Sequence, residues 1–117
     1  MTTRDPGARD ALARRVRTAL AAHDDVREVR MFGGLSFLVD GRIAVAAGRD
    51  GDLLVRTDPA RYDDLLRRGG APAYMGEGRP MGRGWLSVPG GGIRDDAALS
   101  FWVSVGVAAG SAGAASA

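Results

Sequence analysis

The stretch MFGGLSFLVDGRIAVA, residues 31–46, decides the fold of this chain. Two apolar segments, residues 35–39 and 42–47, flank the dipeptide Asp40-Gly41. Asp-Gly accepts the positive φ angles of a type I′ turn, whose twist matches that of two antiparallel strands. The stretch therefore predicts a β-hairpin.

A glycine pair, Gly33-Gly34, stands immediately before this hairpin. Adjacent glycines can cradle a phosphate, but that arrangement needs a helix N-terminus after the glycines and, in a P-loop, a lysine. This chain has no lysine, and a strand is predicted after the pair. We therefore predict a backbone role, in which positive φ at Gly33 and Gly34 forms a tight turn or bulge between two strands.

The segments on either side extend the hairpin into a meander. Residues 26–32 are extended in character, and a turn at residues 48–52 leads into a strand at residues 53–56. Consecutive strands joined by short turns pair antiparallel. The central part of the chain therefore predicts three or four neighbouring antiparallel strands.

Three helices are predicted around these strands. The first covers residues 8–22, where apolar residues recur at four-residue spacing. The second begins at Asp58-Pro59, because aspartate can cap free amides and proline at the first helical position loses no hydrogen bond, and it ends at Gly69-Gly70. The third begins at Asp95-Asp96. The predicted buried positions of the first and third helices are Leu12, Val16, Leu20, Leu99, Trp102 and Val103.

Two more strands are predicted in the glycine-rich region 71–92, at Ala73-Tyr74 and at residues 85–88, with Trp85 in the core. The order helix, three or four strands, helix, two strands, helix predicts an α+β fold, with helices packed on a single antiparallel sheet. One domain is expected over residues 1–107. The Ala/Gly/Ser tail, residues 108–117, is expected to be disordered or a fraying helix.

Composition excludes several classes of protein. The chain of 117 residues has no cysteine, so disulfides, thiolate metal sites and thiol nucleophiles are excluded. All basic residues are arginine, which excludes a lysine Schiff base, and the net charge of +2 is too small to argue for nucleic acid. No apolar run is long enough to span a membrane and no signal peptide is recognisable, so we expect a cytoplasmic protein without a membrane segment.

No catalytic or metal constellation emerges from the sequence. The run Gly34-Leu35-Ser36-Phe37-Leu38 begins like a nucleophile elbow, but it lacks the second glycine and the following helix. The single histidine, His23, stands beside Asp24 at a predicted helix end, where a solvated cap is favoured over a general base. Carboxylates lie mostly in turns and caps, which predicts no metal site. We therefore expect no catalytic residues, no cofactor and no metal.

Arginine clusters are the remaining candidates for binding. Helical arginines at positions 14, 15, 17, 67 and 68 could contact phosphates, although solvated helix faces commonly carry arginine. Arg79 and Arg83 in the glycine-rich loop, with Tyr74, are the stronger candidates for contact with an anion or a partner.

The motifs together resemble the N-terminal domain of the TfoX/Sxy family. The resemblance rests on Met31-Phe32-Gly33-Gly34, Asp40-Gly41, Pro80-Met81 and Trp102, with Tyr62, Tyr74 and the strand at residues 85–88, and it covers roughly residues 10–107. It implies a small α+β domain similar to the secretion-chaperone-like fold, with no known catalytic residues. Founding members of the family regulate natural competence through a partner regulator and carry a second helical domain. This chain ends where that domain would begin, so we expect a stand-alone N-terminal-type domain.

Three functional hypotheses follow. The leading one is a non-enzymatic regulatory or adaptor protein that binds an unknown protein partner, such as a transcription regulator, through the glycine-rich loop and a free sheet edge, with a homodimer as a further expectation. The second is a nucleic-acid-binding regulator that uses its arginine-rich surfaces. The third is a small enzyme or ligand-binding domain with a pocket under the glycine-rich loop, and with Tyr74, Arg79 and Arg83 at its mouth.

Overall fold

A computed structural model describes residues 6–31, 34–48, 50–74 and 78–116 of the chain. Its strands are Val26–Met31 (β1), Gly34–Val39 (β2), Arg42–Ala47 (β3), Leu53–Arg56 (β4), Ala71–Pro72 (β5) and Trp85–Val88 (β6). They form one sheet in the order β1-β2-β3-β4-β6-β5, in which every neighbouring pair is antiparallel. The predicted α+β class, with a single antiparallel sheet, is confirmed.

The described residues also form three α-helices: Pro6–Ala19 (α1), Tyr62–Arg67 (α2) and Asp96–Ser116 (α3). A 3-10 turn, Pro59–Arg61, precedes α2, and its first free amide, that of Ala60, donates to the Asp58 carboxylate at 3.0 Å. Gly69 ends this region with a φ of 111°. The start and end predicted for the second helix are therefore observed.

The central hairpin has the predicted turn. Asp40 and Gly41 adopt φ angles of 54° and 83°, which are the left-handed values that a type I′ turn requires. The pairing of β2 with β3 shifts by one residue beyond Phe37, so that Ala44 is an extra residue on β3. This bulge places both Ala44 and Val45 in the core, where a regular strand would bury only one of them.

All three helices contribute to one core on a single face of the sheet. The α3 helix contacts β3 and β4, and α1 contacts β2, β3 and α3. The largest fully buried side chains come from every layer of this arrangement: Val16 from α1, Leu20 directly after it, Phe37, Val45, Leu53, Val55, Leu86 and Val88 from the strands, Leu65 from α2, and Ile93 before α3. Trp102 of α3 is 3% exposed and lies in this core, as predicted.

Two sequence predictions of element bounds need correction, and one stays a prediction. The strand predicted at Ala73-Tyr74 is instead β5 at Ala71–Pro72, and Tyr74 forms only an isolated bridge with Pro80. The first helix ends at Ala19, because the chain turns after it. The domain boundary at residue 107 remains a prediction, although the backbone of α3 continues as helix to Ser116 and Ala109 is buried.

Gly34 has a role different from the one predicted for it as a member of the glycine pair. Phe32 and Gly33 lie outside the described residues. Gly34 has no positive φ; it is the first residue of β2, where an added Cβ would stand 2.6 Å from the Ala47 carbonyl oxygen on β3. Glycine is therefore required at this position by close backbone approach and not by a left-handed conformation.

Candidate functional site

The sheet face opposite the helices, which we call the outer face, is the candidate site. Side chains alternate between the two faces along each strand. The strand register brings one outer-face residue from every strand into a single row: Val29, Ser36, Ala46, Leu54, Ser87 and Ala71. No described helix packs over this row. Val29 is exposed, Leu54, Ser87 and Ala71 are half-buried, and Ser36 and Ala46 are buried.

A shallow cavity of about 110 Å³ opens in the middle of this row, and we call it the hollow. Met81 and Trp85 border the hollow where the glycine-rich loop leads into β6. Its described lining residues are all uncharged: Gly34, Ser36, Ile43, Ala46, Ala47, Gly48, Leu54, Met81 and Trp85. The lining can therefore accept an apolar group, and its described side chains include no acid or base.

Ser36 is the one described residue of the lining that has a hydroxyl group, and it is only 3% exposed. Among the described residues its hydroxyl makes no hydrogen bond. No buried side-chain oxygen or nitrogen of the described residues lacks a hydrogen-bond partner, so the Ser36 oxygen is not enclosed and remains open to the hollow. Ser36 is therefore available to a bound molecule. The described lining also contains no base of the kind that a nucleophilic serine needs, so the elbow interpretation has no geometric support.

Trp85 lies on the outer face and is half-buried, so its predicted place in the core is wrong. Leu86 and Val88 point into the core, and strand alternation directs Trp85 and Ser87 outwards. The Arg56 guanidinium stands 5.7 Å from the centre of the Trp85 ring. This cation–π contact holds a positive charge at the margin of the hollow.

Positive charge also marks the β1 side of the outer face. Arg27 faces Leu38 in the register and is exposed. Neither Arg27 nor Arg56 forms an ion pair with any described residue. No strand residue of the outer face is acidic. The apolar row is therefore flanked by two arginines whose charges are not neutralised within the described chain.

The residues predicted as a loop site have separate roles in the structure. Arg83 donates to the Asp63 carboxylate at 3.1 Å and lies 4.9 Å from the Tyr62 ring, which attaches the loop to α2. Tyr74 is 58% exposed, and Arg79 is exposed. None of these three residues lines the hollow, so the structure does not place them at the mouth of a common pocket.

The helical arginines are also dispersed. Arg15 donates to Asp96 and to the Arg94 carbonyl oxygen, Arg68 pairs with Asp64, and Arg17 pairs with Glu28. Each of these guanidinium groups already has a carboxylate partner on the protein. The arrangement therefore does not form the continuous basic surface that follows a nucleic-acid backbone.

The Arg17–Glu28 pair joins α1 to β1 through two hydrogen bonds, of 2.6 and 2.7 Å. Hydrogen bonding from Arg17 lowers the pKa of Glu28 below its ordinary value, with partial burial opposing the shift. The same hydrogen bond raises the pKa of Arg17. This contact is charge-assisted and bidentate, which is the strongest geometry for such a pair.

We expect Arg17→Gln to return the pKa of Glu28 towards its ordinary value, measured by NMR titration of the Glu28 side-chain carboxyl carbon. Because the folded-state pKa is lowered, the pair stabilises the fold above the ordinary carboxyl pKa, and this contribution is lost as the pH falls through the lowered value. The loss of stability at neutral pH should not exceed about 1 kcal/mol, since both side chains are partly exposed. Arg14→Gln, on the same helix, is the control; an identical Glu28 titration in both variants would contradict the assignment.

Two further clefts carry no catalytic arrangement. One, of about 310 Å³, contains the Arg17–Glu28 pair together with Arg30. The other, of about 440 Å³, lies between α1 and α3 and contains the Arg15–Asp96 pair. Within the part of the chain that the structure describes, no group of three or more histidine, aspartate or glutamate residues could hold a metal ion. None of the described helices has the length and apolar character needed to cross a membrane.

Comparison with known proteins identifies one family. The model of the TfoX N-terminal domain matches residues 18–110 of the 117-residue chain. The match contains all six strands, α2 and most of α3. No curated protein and no solved structure matches the chain significantly.

Proposed function

The chain belongs to the TfoX N-terminal domain family, and we propose that it acts without catalysis, as a regulatory or adaptor protein that binds another protein on its outer face. The observation that carries this proposal is the hollow, an apolar cavity on a sheet face that no described helix covers, with the Ser36 hydroxyl in its lining and without a hydrogen-bond partner among the described residues. Its occupant is an apolar side chain of the partner, with a neighbouring polar group that hydrogen-bonds to Ser36.

The size of the hollow favours a side chain over a small-molecule ligand. Pockets for substrates and cofactors usually measure roughly 300–1,000 Å³ and contain a few convergent polar groups. The hollow measures about 110 Å³ and contains one hydroxyl. A single aliphatic or aromatic anchor residue fits such a site, and anchors of this kind dominate the energetics of protein interfaces.

The positive charges beside the row indicate which kind of partner segment binds there. Arg27 and Arg56 flank the apolar row without ion-pair partners, and the strand residues of the outer face include no carboxylate. Complementary charge steers association and fixes the register of a bound segment. The partner segment therefore combines an apolar anchor with acidic neighbours.

Family membership supports a protein partner of regulatory type. The resemblance to competence regulators implies action through a second regulator, and we propose a transcription regulator as the protein that carries the acidic segment. We place the interaction in the cytoplasm, because a chain without cysteine needs no oxidising compartment to fold. Nucleic acid is the weaker alternative, because several of the helical arginines are already paired with carboxylates.

Selection from a displayed library of random peptides tests the proposal. We expect enriched peptides to contain one apolar residue flanked by aspartate or glutamate. Leu54→Arg should abolish their binding, because it fills the hollow with a charged side chain. Ser36→Ala should weaken binding roughly 3- to 10-fold, the equivalent of one hydrogen bond, without destabilising the fold.

A charge-matched pair of variants serves as control. Arg56→Glu removes the charge at the margin of the hollow and should weaken the enriched peptides. Arg94→Glu makes the same charge change at an exposed residue outside the row and should not. Enriched peptides without acidic residues, or peptides that bind Leu54→Arg normally, would refute the proposal.

A further inference from the structure

The two edges of the sheet differ in how far they are protected. At one edge, β5 is only two residues long and contains Pro72, which has no N–H to donate. At the other edge, β1 has six residues, and Arg27, Glu28, Val29 and Arg30 are exposed. Short strands and prolines are common devices against edge-to-edge pairing, and β1 has neither.

The backbone groups on the free edge of β1 can be identified. The amide of Asp40 donates to the Asp25 carbonyl oxygen at 3.0 Å, so residue 25 directs its backbone groups towards the neighbouring strand β2. Backbone direction alternates along an antiparallel strand, as the register of β1 with β2 requires. The N–H and C=O groups of Val26, Glu28 and Arg30 therefore point away from the sheet, where β2 does not satisfy them.

The side chains of β1 are complementary to a second copy of β1 in one antiparallel register. When two such strands are centred on Val29, Glu28 of each strand lies opposite Arg30 of the other, and the two Val29 side chains meet on the outer face. Shifting the centre by one residue to Glu28 places two carboxylates opposite each other. Opposite charges across strands stabilise pairing and like charges oppose it, so only the register centred on Val29 is favoured by charge.

The ion pairs within one chain do not prevent two copies from pairing in this register. Arg30 forms no ion pair within the described residues, although it lines the same cleft as Glu28. Glu28 accepts from Arg17, but a carboxylate has about four acceptor positions and can also accept from a second arginine. Val29 is 38% exposed, one of two large apolar residues exposed to this degree among those the structure describes.

We infer that the chain forms a symmetric dimer in which the β1 strands of two copies pair antiparallel about Val29. The outward groups of Glu28 and Arg30 form the central backbone hydrogen bonds, and the Glu28–Arg30 pairs of the two copies fix the register. A two-fold axis perpendicular to the sheet keeps both outer faces on one side, so the dimer has a continuous sheet of twelve strands, twice the six of one chain. The inference goes beyond the proposed function and does not depend on it.

Sedimentation of the full chain over micromolar to millimolar concentrations tests the association. We expect a concentration-dependent rise from the 12.2 kDa of one chain to twice that mass. Glu28→Arg and Arg30→Glu should each shift the equilibrium to monomer, because each places like charges opposite one another. The double variant Glu28→Arg/Arg30→Glu restores opposite charges and should restore the dimer. A monomer at all concentrations, or a dimer unaffected by the single reversals, would overturn the inference.

Disulfide cross-linking between two copies tests the register independently of the charge-reversal variants. The chain has no cysteine, so Val29→Cys introduces the only thiol. Residues opposite each other in a non-hydrogen-bonded pair stand about 4.5 Å apart at Cα, within the disulfide range of roughly 4.4–6.8 Å. Val29→Cys should therefore cross-link under mild oxidation. Arg27→Cys lies on the same face of the same strand, but in this register it is opposite residue 31 of the other copy. Its two thiols therefore do not meet, and this variant should not cross-link. Equal cross-linking of both variants would disprove the register.

Discussion

Gly106→Ala is expected to lower the free energy of unfolding by about 2 kcal/mol or more, although alanine favours a helix over glycine by about 1 kcal/mol. Gly106 lies where α3 crosses β3. A Cβ at this position would overlap the Ala44 carbonyl oxygen and stand 2.9 Å from Val45 Cγ1. The clash is with backbone of the central sheet, which cannot move aside as a flexible side chain can. Urea unfolding measures the loss.

The control for this prediction lies one helical turn further along α3. A Cβ added at Gly110 would meet the Arg42 Cβ at 3.6 Å, an ordinary van der Waals contact. Gly110→Ala should therefore be neutral, or stabilise the fold by up to about 1 kcal/mol through helix propensity. Equal loss of stability in the two variants would show that α3 does not approach β3 closely at Gly106.

Gly34→Val is expected to damage folding before it damages any binding. The added Cβ would lie 2.6 Å from the Ala47 carbonyl oxygen, and valine adds two further methyl groups to this clash. We expect a loss of roughly 3 kcal/mol, a large part of the roughly 5–15 kcal/mol that stabilises a domain. Urea unfolding measures the loss in the free energy of unfolding. The affinity of the folded fraction for the enriched peptides shows whether binding is also affected.

Gly84→Ala is the matched control, because a Cβ there has no neighbour within 4 Å and Gly84 has no positive φ. This variant should unfold at the same urea concentration as the unaltered chain. A Gly34→Val variant that folds normally and loses only its peptide ligand would contradict the structural role assigned to Gly34.

Local pattern was sufficient for most of the secondary structure. Asp40-Gly41 between two apolar segments predicted the central hairpin, because turn chemistry and strand alternation depend on neighbouring residues alone. Asp58-Pro59 predicted the start of the helical segment that contains α2 for the same reason. The error at Ala73-Tyr74 has the opposite cause, since a two-residue strand such as β5 is defined by its partner β6 and has no periodicity of its own.

Most of the candidate site could not be predicted from the sequence. The alternation of Leu86 and Val88 could have indicated that Trp85 faces away from the core, but the size of an aromatic residue favoured burial. Ser36 was considered only as a nucleophile. The use of Gly34 as a point of close approach depends on Ala47, which is distant in sequence, so no local pattern could reveal it.

The amino-acid sequence by itself determined the elements of this protein, their order and the family to which it belongs, because helix periodicity, strand alternation and turn residues act over a few neighbouring positions. Only the tertiary structure decided which face of the sheet the helices cover and which they leave open. That choice depends on the strand register and on the bulge at Ala44, which bring residues from six strands into one row. The hollow, its unpartnered hydroxyl and the free β1 edge are consequences of that assembly.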